Sequence, residues 1–189
     1  MSAEISGSIE FPTPAPDPPV CVLLYTTDGS LFPVGATSDP GGGYELWGVP
    51  VGTYRVRFDP TCLGTTVSPY AAQFYDGAAD YGSATTLNIA SVAPQLGVNA
   101  TLFAGASITG TVTAPGAVNA ANICVEAVDA LNGYVVRLAT TDPAGAYDLT
   151  NLPAATYKVV FDPACENTSK SDFALGWYSG NVSFSTATR

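Results

Sequence analysis

The chain has 189 residues but contains no histidine, a single methionine and only six basic residues. The absence of histidine excludes Ser-His-Asp and Cys-His catalysis and zinc sites with histidine ligands. Six Lys and Arg residues are too few for the clustered positive charge that binds phosphate, so we expect no nucleic-acid partner. The formal net charge of −10 is interpreted as favouring solubility. We expect a protein that is not an enzyme and has no cofactor.

Helix signals and long apolar runs are also missing. No apolar stretch is long enough to span a bilayer, so we expect no membrane insertion. Glycine and proline are frequent, with 19 and 15 residues. Apolar residues alternate over short runs such as 53–58 and 156–161, which is the period of a half-buried strand. The Tyr, Val and Phe of each run share one face, which we assign to the core. The Asp-Pro after each run is expected to satisfy local backbone amides at the strand exit, and turns that begin with Asp-Pro are predicted at 39–42 and 142–145. Several short strands separated by turn residues predict an all-β antiparallel sandwich.

An internal repeat is the strongest signal in the sequence. A shift of 103 positions places Cys21 on Cys124 and Cys62 on Cys165 (124 − 21 = 103; 165 − 62 = 103). Residues of many types recur at the same shift: Thr37, Asp39, Pro40, Gly42, Tyr44, Leu46, Pro50, Thr53, Tyr54, Val56, Phe58, Asp59 and Pro60. The sequence therefore predicts two tandem Greek-key β-sandwich domains, residues 1–105 and 106–189.

The second repeat is predicted to lack its last strands. After Gly77 the first repeat continues for 28 residues, to position 105 (105 − 77), whereas 9 follow the matching Gly180 (189 − 180). An open sandwich exposes strand edges and core. The chain is then either a fragment of a longer array or is completed by a strand of another chain, including homo-assembly through the open edge.

The four cysteines occur as two per repeat at the same spacing. This predicts one disulfide per repeat, Cys21–Cys62 and Cys124–Cys165, with four buried thiols as the alternative. Disulfides would place the protein in an oxidising compartment.

The order of these motifs resembles a known family. The matching residues are Ile5, Gly7, Cys21, Val22, Tyr44, Leu46, Pro50, the run 53–60, Tyr75 and Gly77. They resemble the carboxypeptidase regulatory-like domain, an Ig-like or transthyretin-like (prealbumin-like) sandwich, and are similar to the B-type repeats of bacterial collagen-binding surface proteins. The resemblance implies secreted or surface-anchored stalks of tandem modules.

The chain departs from these repeats in one respect. Many B-type repeats carry an internal Lys–Asn isopeptide bond, but residues 1–106 contain no lysine, and Lys158 occupies the position of Arg55 in a middle strand. We therefore expect no isopeptide bond in the first repeat.

Two further groups are candidate sites. Asp76 and Asp80 share one loop and are a weak calcium candidate, although Ser179 and Ser183 replace them in the second repeat. Exposed aromatic residues can stack on sugars or anchor a partner. The candidates for such contacts are Phe74, Tyr75, Trp177 and Tyr178, with packing on the core as the alternative. Sequons for N-glycosylation occur at Asn99, Asn167 and Asn181.

These observations favour a non-catalytic structural stalk or adhesive spacer, secreted or at the cell surface. A carbohydrate- or protein-binding module is the first alternative. The second is a subunit of a virion or extracellular filament completed by strand donation.

Overall fold

The computed structural model describes residues 2–12, 19–61, 68–113, 120–164, 173–180 and 183–188. The chain divides into two compact units, residues 1–105 and 106–189. Regular structure in the described residues is almost entirely β-strand, arranged in several antiparallel sheets, which confirms the predicted all-β class. No helix in this part of the chain is long and apolar enough to cross a membrane.

The first unit is a sandwich of two sheets. Its strands are β1 (Ala3–Glu10), β2 (Cys21–Thr26), β3 (Leu31–Thr37), β4 (Gly43–Val49), β5 (Gly52–Asp59), β6 (Gln73–Phe74), β7 (Leu87–Ile89) and β8 (Ala100–Thr101). One sheet has the order β4-β1-β8, and the other has the order β3-β2-β5 with β6 and β7 both pairing with β5. Buried residues of both sheets form one hydrophobic cluster.

The alternation read from the sequence accounts for this core. Tyr54, Val56 and Phe58 of β5 are buried, whereas the residues between them are partly exposed. Successive side chains of a strand point to opposite faces, so one face of β5 packs on the opposite sheet. The predicted core face of this strand is confirmed.

The last strand of the first unit differs from a purely antiparallel arrangement. β8 pairs with β1 in parallel, with Ile9 opposite Ala100, and an isolated parallel bridge joins Ile5 to Gln95. The chain leaves β7 in one sheet and reaches β8 in the other, and such a crossover can deliver a strand in the parallel direction.

The second unit repeats this plan in part. Its strands are β9 (Ala106–Thr111), β10 (Cys124–Asp129), β11 (Val135–Thr140), β12 (Ala146–Leu152), β13 (Tyr157–Asp162) and β14 (Gly176–Trp177). They form a pair, β12-β9, and a sheet of order β11-β10-β13-β14. No counterpart of β7 or β8 is present among its described residues, and the buried cluster found there is smaller.

The predicted Asp-Pro turns before β4 and β12 are confirmed. The Asp39 carboxylate accepts the backbone N–H groups of Gly41 and Gly43 at 2.8 and 2.9 Å. In the second unit Asp142 accepts those of Ala144 and Ala146 at the same two distances. The glycine that closes each turn has a φ of +80°, where residues with a side chain are strained.

Candidate functional site

The predicted aromatic contacts of the first unit lie largely in its core. Phe74 is buried, and its ring centroid lies 5.7 Å from that of Tyr25 and 6.1 Å from that of Tyr81. Tyr75 is partly buried and packs against the same core. A φ of +66° at Asp76 bends the chain just after β6, which has only two residues. This turn presents little aromatic surface to a ligand.

The corresponding turn of the second unit is more open. Trp177 is half-buried, and its ring lies 5.6 Å from that of Phe184. Tyr178 is 55% exposed. Ser179 repeats the left-handed backbone of Asp76, with a φ of +64°. The two turns therefore share a backbone, and the second presents more aromatic surface.

The two calcium candidates, Asp76 and Asp80, form hydrogen bonds within their own loop. Asp80 is buried, and its Oδ1 accepts the backbone N–H groups of Gly82 and Ser83 while Oδ2 accepts the Ser83 hydroxyl at 2.8 Å. Asp76 accepts a hydrogen bond from the Thr85 hydroxyl at 3.3 Å. Among the described residues no cluster of three or more metal-binding side chains is found. Both carboxylates therefore have hydrogen-bond partners in residues 82–85, and the weak calcium candidate remains a prediction.

The described cysteines stand at equivalent strand positions. Cys21 pairs with Asp59 across β2 and β5, and Cys124 pairs with Asp162 across β10 and β13. Neither is a free thiol. Their predicted partners, Cys62 and Cys165, lie outside the described residues, so the pairing remains a prediction.

The repeated Asp-Pro that ends β5 and β13 has the local role predicted for it. The Asp59 carboxylate accepts the backbone N–H of Thr61 at 2.9 Å, and that of Asp162 accepts the N–H of Ala164 at 2.9 Å. Each side chain thereby satisfies a backbone amide where the strand ends.

A basic residue in the middle of each sheet anchors the loop beyond it. Arg55 donates from Nε to the Ala84 carbonyl at 3.1 Å, and its guanidinium lies 4.3 Å from the centre of the Tyr81 ring. In the second unit the Nζ of Lys158 donates to the Phe184 carbonyl and lies 4.1 Å from the centre of that ring. Lys158 is buried in this role.

A surface that sequence reasoning missed lies on the first unit. Tyr44 and Leu46 of β4 are buried, so the intervening Glu45 and the next residue, Trp47, face solvent. Trp47 is 63% exposed. The strand's alternation was the signal that could have identified it.

An open groove of 670 Å³ lies on the same unit. It is lined mainly by polar and acidic side chains: Ser6, Ser8, Thr37, Asp39, Glu45 and Asn99. Asn99, the described sequon residue, is exposed, and its Oδ1 accepts the backbone N–H of Ser8 at 2.9 Å. The sequon residues Asn167 and Asn181 lie outside the described residues.

The edge of β9 that pairs with no described strand is the second candidate surface. A smaller cavity of 250 Å³ opens there, and its lining carries no charged side chain: Ile108, Thr109, Tyr147, Tyr157, Val159, Tyr178 and Thr188. In the first unit Ile5, Tyr44 and Tyr54, the counterparts of three of these residues, are at most 5% exposed. Their equivalents Ile108, Tyr147 and Tyr157 are each partly exposed.

No protein-family model and no curated protein matches the chain. The resemblance to the carboxypeptidase regulatory-like domain therefore remains a prediction.

Among solved structures, the chain is similar to the Bacillus anthracis TIE protein, at 15% identity and a TM-score of 0.36. That match covers 84% of this chain but only 27% of the other. The chain is also similar to GBS52, the minor pilin of Streptococcus agalactiae, at 12% identity and a TM-score of 0.30, covering 85% of this chain and 82% of that one. Similarity at this level does not establish a shared function.

Proposed function

We propose that the chain is a non-catalytic module of a secreted or cell-surface protein, in which two disulfide-stapled sandwiches act as a structural stalk or adhesive spacer. The observation that carries this proposal is the repetition of the same internal supports. The Asp-Pro turn, the strand-end aspartate and the cation over an aromatic ring recur in both units. A stalk needs such repeated, self-supporting segments.

The use of the acidic side chains supports a structural role. Asp39, Asp59, Asp80 and Asp142 each accept backbone N–H groups of their own turn. A catalytic carboxylate instead has to reach a substrate and exchange protons with it. These four carboxylates are committed to holding loops in shape.

The strand register supports the proposed disulfides. Cys21 faces Asp59 across the sheet, and Cys62 follows Asp59 by three residues. Cys124 and Cys165 have the same relation to Asp162. In a chain-entropy account, closing a loop of this size stabilises a domain by roughly 4 kcal/mol.

Single-molecule pulling on the full chain tests the stalk. Each disulfide would keep 41 residue-to-residue links (62 − 21 and 165 − 124) out of the extended chain. This corresponds to roughly 140 Å of contour length per unit. We expect the oxidised chain to unfold in two events, each shorter by that amount than the event seen after reduction. A Cys62→Ser variant is the matched control and should lengthen only one event. Full extension of the oxidised chain would contradict the stapled stalk.

A glycan- or protein-binding role is the second candidate, because Trp47 and the polar groove are exposed on one unit. Aromatic faces stack on sugar rings, and acidic and amide groups accept their hydroxyl hydrogen bonds. A glycan array probed with the full chain tests this role. Binding that Trp47→Ala abolishes and Leu31→Ala preserves would favour it over the spacer, whereas a silent array would favour the spacer.

A further inference from the structure

The first unit contains the segment that closes its own small sheet. The backbone N–H of Ser6 in β1 donates to the Gln95 carbonyl at 3.0 Å, and the N–H of Val98 donates to the Ser6 carbonyl at 3.1 Å. Gly7 makes this approach feasible, since a Cβ there would lie 2.3 Å from the Val98 oxygen. Segment 95–102 therefore lies directly along the edge of β1.

The second unit has the same receiving groups, but no counterpart of segment 95–102 lies along β9 among its described residues. The register of β9 with β12 places Thr109 opposite Asp148, as Ser6 lies opposite Glu45. Because N–H groups alternate in direction along a strand, the Thr109 N–H points away from β12, as the Ser6 N–H points away from β4, and it makes no hydrogen bond to a described residue outside the ladder. Gly110 repeats Gly7, and a Cβ there would meet the side chain of Tyr147, with the hydroxyl oxygen at 2.7 Å and two ring carbons at 2.9 and 3.0 Å.

Tyr44 and its counterpart Tyr147 also indicate that a strand can add to β9. In the first unit the Tyr44 hydroxyl donates to the Val98 carbonyl at 2.6 Å. Its counterpart Tyr147 makes no such bond within the described part of the chain, and its hydroxyl lies over Gly110, where the Val98 carbonyl lies over Gly7. The hydroxyl thus lies where an incoming strand's carbonyl would lie, so on strand addition the Tyr147 side chain has to move aside and can then donate to that carbonyl, as Tyr44 does.

We propose that the β9 edge of the second unit binds an extended polypeptide segment from outside residues 1–189, which adds as a strand parallel to β9. The segment is uncharged, because the groove is lined without charged side chains. It carries apolar residues at alternate positions, as Val98, Ala100 and Leu102 do in the first unit. Strand addition supplies affinity through backbone hydrogen bonds and specificity through alternate side chains.

The structure argues against a second copy of this chain as the donor. The matching segment of such a copy is engaged in its own first unit, where Val98 is 2% exposed and Leu102 is fully buried. Releasing it would expose that core. This inference does not depend on the spacer role, since a stalk module and a binding module could each receive a strand.

A synthetic peptide with the sequence of residues 94–104, titrated into the full chain, tests the proposal. We expect saturable binding that slows hydrogen exchange of the Thr109 amide. Gly110→Ala should weaken binding roughly tenfold or more, because its Cβ would meet the peptide backbone. Tyr147→Phe removes one donor and should weaken binding roughly three- to tenfold. Leu131→Ala, an exposed change in the same unit, is the control and should bind normally.

Three results would overturn the proposal. The first is the absence of saturable binding while the second unit remains folded by NMR. The second is binding that neither Gly110→Ala nor Tyr147→Phe weakens, because the peptide would then bind elsewhere. The third is concentration-dependent dimerisation without peptide that Gly110→Ala removes, because the donor would then be a second copy.

Discussion

The two units share their local contacts but differ in how deeply those contacts are buried. The rings of Tyr44 and Phe58 are 5.9 Å apart, and those of Tyr147 and Phe161 are 5.8 Å apart. Yet Phe58 is fully buried, whereas Phe161 is partly exposed. Similar sequence therefore produces the same hairpins and ring pairs in both units. The burial of these pairs depends on what covers them.

The segments that cover the core of the first unit explain this difference in burial. In the first unit Leu87 and Ile89 of β7 and Val98, Ala100 and Leu102 near β8 join the core cluster. No counterpart is found among the described residues of the second unit. Apolar surface that stays in contact with water contributes no hydrophobic stabilisation, so equivalent substitutions should have unequal effects.

The largest contrast is expected at the shared phenylalanine. Phe58→Ala should cost the first unit about 3–5 kcal/mol of unfolding free energy, because it leaves a cavity in a closed core. Phe161→Ala should cost the second unit about half as much, since its ring is already partly in water. Hydrogen exchange during chemical denaturation measures both units in one sample. Equal losses would contradict the difference in burial.

The turn glycines provide a test in which the units should agree. A Cβ at Gly42 would lie 2.1 Å from the Ile9 carbonyl oxygen, and one at Gly145 would lie 2.3 Å from that of Val112. Alanine at either position also has to adopt a φ of +80°. We expect each substitution to cost its own unit about 2 kcal/mol.

Thermal melts of the two glycine variants, with the unit assigned by NMR, check this agreement. A large loss in one unit alone would show that the turns are not equivalent.

Removal of the equivalent tyrosine hydroxyls should again change the stability of the two units by different amounts. Tyr44→Phe removes a buried donor to the Val98 carbonyl and should cost about 1–2 kcal/mol. Tyr147→Phe should leave stability within about 0.5 kcal/mol, because the lost hydroxyl has no described partner. Urea denaturation of both variants measures the difference. An equal loss of stability in Tyr147→Phe would show that the Tyr147 hydroxyl also makes a stabilising hydrogen bond.

The smallest effect concerns a carboxylate that only the second unit has. Burial, reinforced by the charge of Asp162, raises the pKa of Glu126 above its ordinary value of 4.5, whereas Leu23 occupies this place in the first unit. A raised pKa means that the folded state holds its proton more tightly than the unfolded state. The second unit therefore loses stability as the pH rises from the ordinary pKa of Glu126 through its higher folded-state pKa.

Glu126→Gln should accordingly stabilise the second unit by a few tenths of a kcal/mol at pH 7, with no gain at pH 3. Melting curves at both pH values check this. A gain of the same size at pH 3 would rule out ionisation as the cause.

Local patterns predicted much of the fold. Alternation identified the core face of β5, and the repeated Asp-Pro correctly indicated side chains that bind their own backbone. The parallel pairing of β8 was not predicted, because its direction depends on a crossover between sheets rather than on local sequence.

Less of the candidate site could be predicted from the sequence. Phe74 and Trp177 align in sequence, but only the structure shows that Phe74 is enclosed by Tyr25 and Tyr81 while Trp177 is partly exposed. Gly110 and Tyr147 are recognisable as receiving groups only once their counterparts Gly7 and Tyr44 are seen against segment 95–102.

The exchange rates of two backbone amides test the central claim most directly. Ser6 and Thr109 are equivalent in register, but only Ser6 has a described acceptor, the Gln95 carbonyl at 3.0 Å. NMR-detected hydrogen exchange on the full chain alone should find Ser6 strongly protected and Thr109 exchanging close to the rate of an open amide. Equal protection of the two amides would show that the β9 edge is already covered and would contradict this account.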